Sequence, residues 1–360
     1  MMRVVVIVGT RPNLVKLSAL WRALQAPRFS ARVVHTRQQD DPAMFQELLE
    51  DLELPPPDVA LAPCRGGRAA QIRGMLPPLR DLLARERPDL VVVIGDVNST
   101  AAGALAARGA RVPLAHVEAG LRSFDRAMPE ELNRVLADRL SALLFASEPS
   151  GVENLRRERR HQARIHLAGN VLIDALVRMR ARIGAAGGAP PERGHAVVTL
   201  HRPRNVDDPD RLGALVDAVV DASRRLPIVL PLHPRTRDRL ARSGHARRLE
   251  RAPNVHVRPP LVYSAMVRLL EGARVVITDS GGLQEESTFL GVPCLTLRTT
   301  TERPATVTDG TNRIVGEDPR RLVPALEQVL AGVTPPRRPA LWDGRAAERI
   351  VQVLGDWRAS

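Results

Sequence analysis

Short apolar runs alternate along the chain with longer stretches of helical pattern, and the alternation occurs twice. Arg3 to Val8 is apolar and β-branched, and it leads through Gly9-Thr10-Arg11-Pro12 into a helix expected from about Asn13 to Leu24. Proline suits that first turn, where its missing N–H would have had no partner. Arg32 to Thr36 predicts a second strand, helical patterns follow at about 42–53 and 68–86, and Leu90 to Ile94 is apolar at every position. A run of that kind is expected of a strand buried on both faces of a parallel sheet. A helix-like segment, a strand over Pro113 to Val117, a helix opening at Met128-Pro129 and continuing to Leu140, and strands at Leu143 to Ala146 and Ile165 to Leu167 come next. Gly184 to Gly194, with four glycines and two prolines, reads as a connector. Beyond it, strands are expected at 196–200, 227–232, 254–258, 274–278 and 293–297, helices at about 208–224, 264–271 and 282–290, and a final helix from Arg345 to Trp357. Strands alternating with helices in this way predict an α/β chain with two parallel, doubly wound sheets. A length of 360 residues suits two domains.

The polar residues at the ends of these strands carry the first chemical signal. Asp96 follows the strand at Leu90 to Ile94, Glu118 follows the strand at Pro113 to Val117, and Glu130 opens the next helix. Ligands of open α/β sheets bind beyond the carboxyl ends of the strands. Carboxylates there can exchange protons or face a developing positive charge. Each acid alone is equally well read as a helix cap or first-turn acid; three within one crossover unit point to a site. In the second half, Asp279-Ser280-Gly281-Gly282 lies between a strand and a helix, where backbone N–H groups and a serine hydroxyl can hold a diphosphate at the positive helix end. The first turn, Gly9-Thr10-Arg11, has similar logic but lacks the GxGxxG dinucleotide signature.

Composition narrows the function. Apolar content of 44% and charged content of 26% fit a globular protein, and no apolar run approaches the ~20 residues of a membrane span. The first residues run directly into a strand, so a secretory leader is not expected. Only Cys64 and Cys294 are present, which fits a reducing cytoplasm. The net charge of +13 raises nucleic acid as a partner, but the arginines are spread along the chain and aromatic content is 2%, so stacking platforms are scarce. Of 53 basic residues, only Lys16 is lysine, which suggests a place where a compact ammonium is required.

GDVNST, HVEAGLRSF and MPEELNR, with GTRPNLVKL near the start, TLHRP at 199, TDSGGLQEE at 278 and TTERPATVTDGTNR at 300, together resemble the non-hydrolysing UDP-N-acetylglucosamine 2-epimerase family. The motifs run in family order from residue 9 to 313. The resemblance implies a glycosyltransferase-B-like fold of two Rossmann-like domains facing a cleft. Residues 1–172 would carry the catalytic acids and 173–344 would bind UDP, with the helix in 345–360 returning to the first domain. It implies catalytic roles for Asp96, Glu118, Glu130 and His201. It assigns substrate contacts to Arg11, Lys16, Gln38, Arg122, Ser280, Gly281, Gly282, Glu286 (ribose hydroxyls) and Arg303 (diphosphate clamp). A UDP-sugar substrate, a homodimer, and the absence of metal, cofactor, nucleic acid or membrane are also implied.

The hydrogen at C2 of a nucleotide sugar is not acidic, since no carbonyl adjoins it. If the C1–O bond to UDP breaks first, the cationic C1 makes that hydrogen labile and its loss gives a glycal. Protonation on the other face and re-addition of UDP invert C2, interconverting UDP-GlcNAc and UDP-ManNAc. Which acid is base and which is acid stays open. The chain also departs from the family: Asn13 replaces glutamate, Arg204 replaces glutamate, and in Thr36 to Asp41 the residues Arg37, Gln39 and Asp40 replace glycine, histidine and tyrosine. That loop lines the sugar site and an adjoining activator site in the family. The departures motivate an alternative, the same C1–O cleavage on a different nucleotide sugar or glycosyl phosphate, with hydrolysis or glycosyl transfer.

Overall fold

The computed structural model describes residues 1–39, 42–160, 164–187, 193–332 and 338–357. The chain divides into two compact units, Met1–Met179 with Ala340–Ser360, and Arg180–Pro339. In the first unit β1 (Met2–Val8), β2 (Phe29–His35), β3 (Val59–Ala60), β4 (Leu90–Ile94), β5 (Leu114–Val117), β6 (Leu143–Ala146) and β7 (Ile165–Leu167) alternate with helices. These are α1 (Arg11–Ala23), α2 (Pro42–Leu52), α3 (Arg68–Glu86), α4 (Asn98–Ala110), α5 (Pro129–Leu140), α6 (Pro149–Arg157) and α7 (Val171–Ala185). All strand pairings are parallel, in the order β3-β2-β1-β4-β5-β6-β7. The central β4 is buried along its whole length, as its unbroken apolar run requires. Helix α4 is alanine-rich on its buried side, with Ala101, Ala102, Ala104, Ala106 and Ala107 fully enclosed, so its backbone packs close to the sheet.

The second unit repeats the plan. Its strands are β8 (His195–Thr199), β9 (Ile228–Pro231), β10 (Val255–Arg258), β11 (Ala273–Thr278), β12 (Cys294–Thr296) and β13 (Asn312–Ile314). Its helices are α8 (Pro203–Val206), α9 (Pro209–Ala222), α10 (Pro234–Ser243), α11 (Ala246–Arg251), α12 (Tyr263–Gly272), α13 (Gly281–Leu290), α14 (Ala305–Thr308) and α15 (Leu322–Ala331). The parallel order β10-β9-β8-β11-β12-β13 is the same winding as in the first sheet. In both sheets the chain starts in the middle, winds one way, then reverses between the first and fourth strands; that reversal is the Rossmann switch point. The last helix, α16 (Ala346–Asp356), packs on α1 in the first unit. Asp174 of α7 holds its start, accepting a 2.7 Å hydrogen bond from the Ala347 N–H. Among the described residues no helix is long and apolar enough to cross a membrane.

Candidate active site

The switch point of the first sheet lies where β1 and β4 end side by side, and the sequence-selected polar residues gather there. Glu118, at the end of β5, is buried and adopts a left-handed φ of 69°. One of its oxygens forms an ion pair with Lys16 of α1, also buried; the other, Oε1, is enclosed without a hydrogen-bond partner. A buried carboxylate oxygen left unmatched on a strained backbone needs a reason, and such features cluster at functional sites. Gly95 makes the arrangement possible: its φ is 68°, and a Cβ there would sit 3.0 Å from Glu118 Oε2 and 3.5 Å from Lys16 Nζ. The single lysine thus fills a slot bounded by Gly95, Asn13 and Glu118. Asn13, a departure from the family pattern, donates to the Ile94 carbonyl at 3.0 Å and accepts from the Gly9 N–H at 3.3 Å, tying the ends of β1 and β4 together.

Asp96 follows Gly95 and accepts a hydrogen bond from the buried Arg134 of α5. Arg134 also donates to Glu131 at 2.7 Å. Glu131 in turn accepts from the Ser123 N–H, the Ser123 hydroxyl and the Phe124 N–H at 2.9, 2.8 and 3.2 Å, so this glutamate pins the loop before α5. Its neighbour Glu130 is half-buried in the first turn of the same helix. Near the acids lies a buried group in which His116 and Asp138 were not singled out in the sequence. His116 meets Asp138 at 2.6 Å through Nδ1 and the Gly95 carbonyl at 2.8 Å through Nε2. Asp138 also accepts from the Gly120 N–H at 3.1 Å and pairs with Arg122 at 2.7 Å. Burial pushes the Asp138 carboxyl up, but His116 and Arg122 outweigh it and hold it below the usual carboxylate range. Nothing in the sequence linked His116 and Asp138 to Arg122, because they come from separate elements and meet only on folding.

Some residues expected to touch substrate have other partners. Arg122 is buried between Asp138 and Glu158, donating to Glu158 at 2.8 and 2.9 Å. Gln38 accepts from the Ser99 N–H and hydroxyl at 2.9 and 2.8 Å, serving the start of α4. Arg11 donates to Met44 Sδ at 3.0 Å, and its N–H donates to Gln39 Oε1 at 3.1 Å. Of the divergent loop, Asp40 and Asp41 lie outside the described residues; Arg37 adopts a left-handed φ of 52°.

In the second sheet the switch point lies between β8 and β11. His201 follows β8, and Asp279 and Ser280 follow β11. Ser280 is the N-cap of α13, its hydroxyl accepting from the Leu283 N–H at 3.5 Å. The Arg303 guanidinium presses on the start of that helix, and a Cβ on Gly281 would lie 2.4 Å from its nitrogen, so any larger residue there would have to displace it. Arg303 is itself buried, paired with Glu285 at 2.8 Å and with Glu302; Glu302 also receives Arg298 at 2.7 Å. Arg303 therefore stands at the expected anion position, with its charge shared by carboxylates of its own unit. Glu286 is buried on α13. Gly282 occupies the first turn, where helix N–H groups lack intrahelical partners.

Two Rossmann-like sheets, each with polar residues at its switch point, define an α/β enzyme of the glycosyltransferase-B-like class. Residues 22–355 match the family model described as UDP-N-acetylglucosamine 2-epimerase, and the chain belongs to that family. It is 37% identical to the UDP-N-acetylglucosamine 2-epimerase of Methanocaldococcus jannaschii, covering 98% of this chain and 99% of that one. It is 39% identical to the UDP-2,3-diacetamido-2,3-dideoxy-D-glucuronate 2-epimerase of Pseudomonas aeruginosa, with the same coverage. The crystal structure of the M. jannaschii enzyme in complex with UDP-GlcNAc and UDP superposes with a TM-score of 0.89 at 36% identity, over 99% of this chain and 100% of that chain.

Proposed function

We propose that the protein interconverts UDP-GlcNAc and UDP-ManNAc by eliminating UDP to a glycal and adding it back on the inverted sugar. The observation that carries the reading is Glu118, a buried carboxylate with one oxygen on Lys16 and the other without a partner, beside Asp96 at a sheet switch point. A carboxylate so held is available to a proton or a cation and costs no reorganisation when either develops. In this reading Asp96, Glu118 and Glu130 stabilise the C1 cation and move the C2 proton. His201, with the N–H groups at Ser280, Gly281 and Gly282, holds the departing diphosphate. Arg303 shapes that helix start, and Glu286 accepts from the ribose. The route involves no net electron transfer, so it calls for no redox cofactor.

A second reading is favoured by the 39% identity to an enzyme named for a UDP-diacetamido-glucuronate. There the same C2 chemistry would run on a sugar carrying a carboxylate, and Arg37, where the family has glycine, supplies an added cation in the loop that lines the family's sugar site. Both readings are tested by incubating the protein in D2O with each UDP-sugar, following C2 deuteration by NMR and free UDP by chromatography. Deuterated UDP-ManNAc from UDP-GlcNAc supports the first reading. Turnover of the diacetamido-glucuronate alone supports the second, and release of UDP without epimer would overturn both. The homodimer implied by the family resemblance is proposed alongside and is checked by light scattering.

A further inference from the structure

Asp279 is a fully buried carboxylate with four donors around it. Its Oδ2 accepts from the Arg202 N–H and from Asn205 Nδ2, each at 3.0 Å. The His201 N–H reaches both oxygens at 3.1 Å. Its Oδ1 lies 2.7 Å from Nδ1 of the His201 ring. The Asn205 amide cannot be reversed at no cost, because its Oδ1 accepts from Arg211 at 3.3 and 3.0 Å and its Nδ2 also donates to the Leu297 carbonyl at 3.1 Å. Asp279 therefore has one oxygen committed to two firm donors and the other aimed at the imidazole. Burial pushes this carboxyl up, but the charge and hydrogen bond of His201, with Asn205 and Arg202, prevail and hold it far below the usual carboxylate range.

We propose that Asp279 is the positioning residue of His201, fixing the ring with Nδ1–H on the carboxylate and turning Nε2 outward as the nitrogen that meets the diphosphate. The inference rests on the reading of His201 given above. An imidazole side chain one-third exposed on a loop would otherwise sample both tautomers and several orientations. A carboxylate on Nδ1 removes that freedom and balances the positive ring that donates from Nε2 to a phosphate oxygen, the division of labour seen wherever an acid orients a working histidine. The other groups around the ring do not duplicate this. His233 lies 5.4 Å away between ring centres, with its Nδ1 accepting from the Arg235 N–H. The Arg202 guanidinium is 3.8 Å from Glu302.

Asp279→Asn tests the idea with a defined outcome. Its amide oxygen must take the Oδ2 place, facing the Arg202 and Asn205 donors, so its NH2 faces His201 Nδ1. That ring can then stay neutral only as the Nε2–H tautomer, and protonating it would set N–H against N–H. The experiment is nitrogen-15 NMR of histidine-labelled protein at alkaline pH, with the His201 signals assigned by their loss in His201→Gln. The native protein is expected to show protonated Nδ1 and bare Nε2, and the Asp279→Asn protein the reverse. Because the cationic donor counts most as charge develops on the departing oxygen, kcat is expected to fall about 10²-fold or more while KM stays within about threefold. A native spectrum showing Nε2–H would overturn the proposal even if the variant failed to fold, as would native kcat in a folded Asp279→Asn. Native turnover in His201→Gln would instead remove His201 from the reaction and leave the tautomer result standing, so the two readings fail separately.

Discussion

Lys16 shows how a residue choice reports on its surroundings. In a chain that uses arginine at all its other Lys/Arg positions, the one lysine lies beside Gly95, and there it pairs with Glu118. Removing either partner has different consequences. Glu118→Gln leaves Lys16 an amide oxygen but no counter-charge, so it should cost some stability, though less than loss of the side chain outright, while turnover falls roughly 10²-fold or more, as expected when a proton-moving group is lost. Steady-state kinetics with a matched melting curve checks this; turnover near native would remove Glu118 from the reaction. Lys16→Met instead strands a buried carboxylate and should cost about 3–5 kcal/mol of unfolding free energy, read from urea titration. Arg303 follows the same logic. As a diphosphate clamp alone, its loss would weaken UDP binding without affecting stability. Its two carboxylate partners inside the fold mean that Arg303→Ala should also destabilise the protein by about 3–5 kcal/mol. Urea titration beside UDP calorimetry separates the roles, and a drop in affinity at unchanged stability would show that the Glu285 and Glu302 contacts matter less than their burial suggests.

At the scale of elements, the start of α16 is held by a buried carboxylate. Asp174 receives the Ala347 N–H with one oxygen, while Oδ1 is buried without a hydrogen-bond partner. Burial pushes its carboxyl up to about 6, against the opposing pull of the helix N–H groups. An acid whose folded value is raised binds more protons in the folded than in the unfolded chain between about pH 4 and 6, so its ionisation costs stability as pH rises through that window. Asp174→Asn keeps an acceptor for Ala347 and removes the charge. It should therefore stabilise the protein at pH 7, by about 1–3 kcal/mol, with the gain vanishing towards pH 4. Melting temperatures of both proteins across that range decide the matter; a constant difference would show that Asp174 is not the titrating group. The elements themselves were largely legible in the sequence. The predicted strand over 90–94 and the helix over 68–86 are β4 and α3, because a run apolar at every position or a long helical pattern leaves few alternatives. The short β3 and β13, and helices α6, α7, α8, α10, α11, α14 and α15, were not expected: two or three residues of strand have no period, and α10 is mostly arginine and polar residues outside its buried Thr236 and Leu240. The candidate site was legible where a residue stands at a strand end, as Asp96, Glu118, His201 and Ser280 do. It was illegible where a side chain's placement depends on a partner distant in sequence, as with His116 and Asp138, or His201 and Asp279.

At the scale of the whole molecule, the same winding in both sheets gives two switch points with different contents. The first holds carboxylates with Lys16, and the second a helix start with His201. In the proposed reaction the first set would handle the sugar and the second the diphosphate. The loop after β2 is the part of the chain that departs most from the family pattern. Its Gln38 is occupied at the start of α4, its Gln39 accepts from the Arg11 N–H, and Arg37 holds a left-handed backbone that glycine would adopt more easily. A loop engaged with its own unit, and carrying added charge, is poorly suited to admit a second, neutral sugar as activator. UDP should therefore bind normally, but activation by UDP-GlcNAc should be weak or absent. The assay is the reverse reaction from UDP-ManNAc alone, followed from the first seconds. Onset without a lag is the expected outcome, and restoring glycine and histidine by Arg37→Gly with Gln39→His should bring back a dependence on added UDP-GlcNAc. A strict requirement for UDP-GlcNAc in the unaltered protein would show that the hydrogen bonds of this loop yield to the activator, and that its departures bear on the sugar recognised instead.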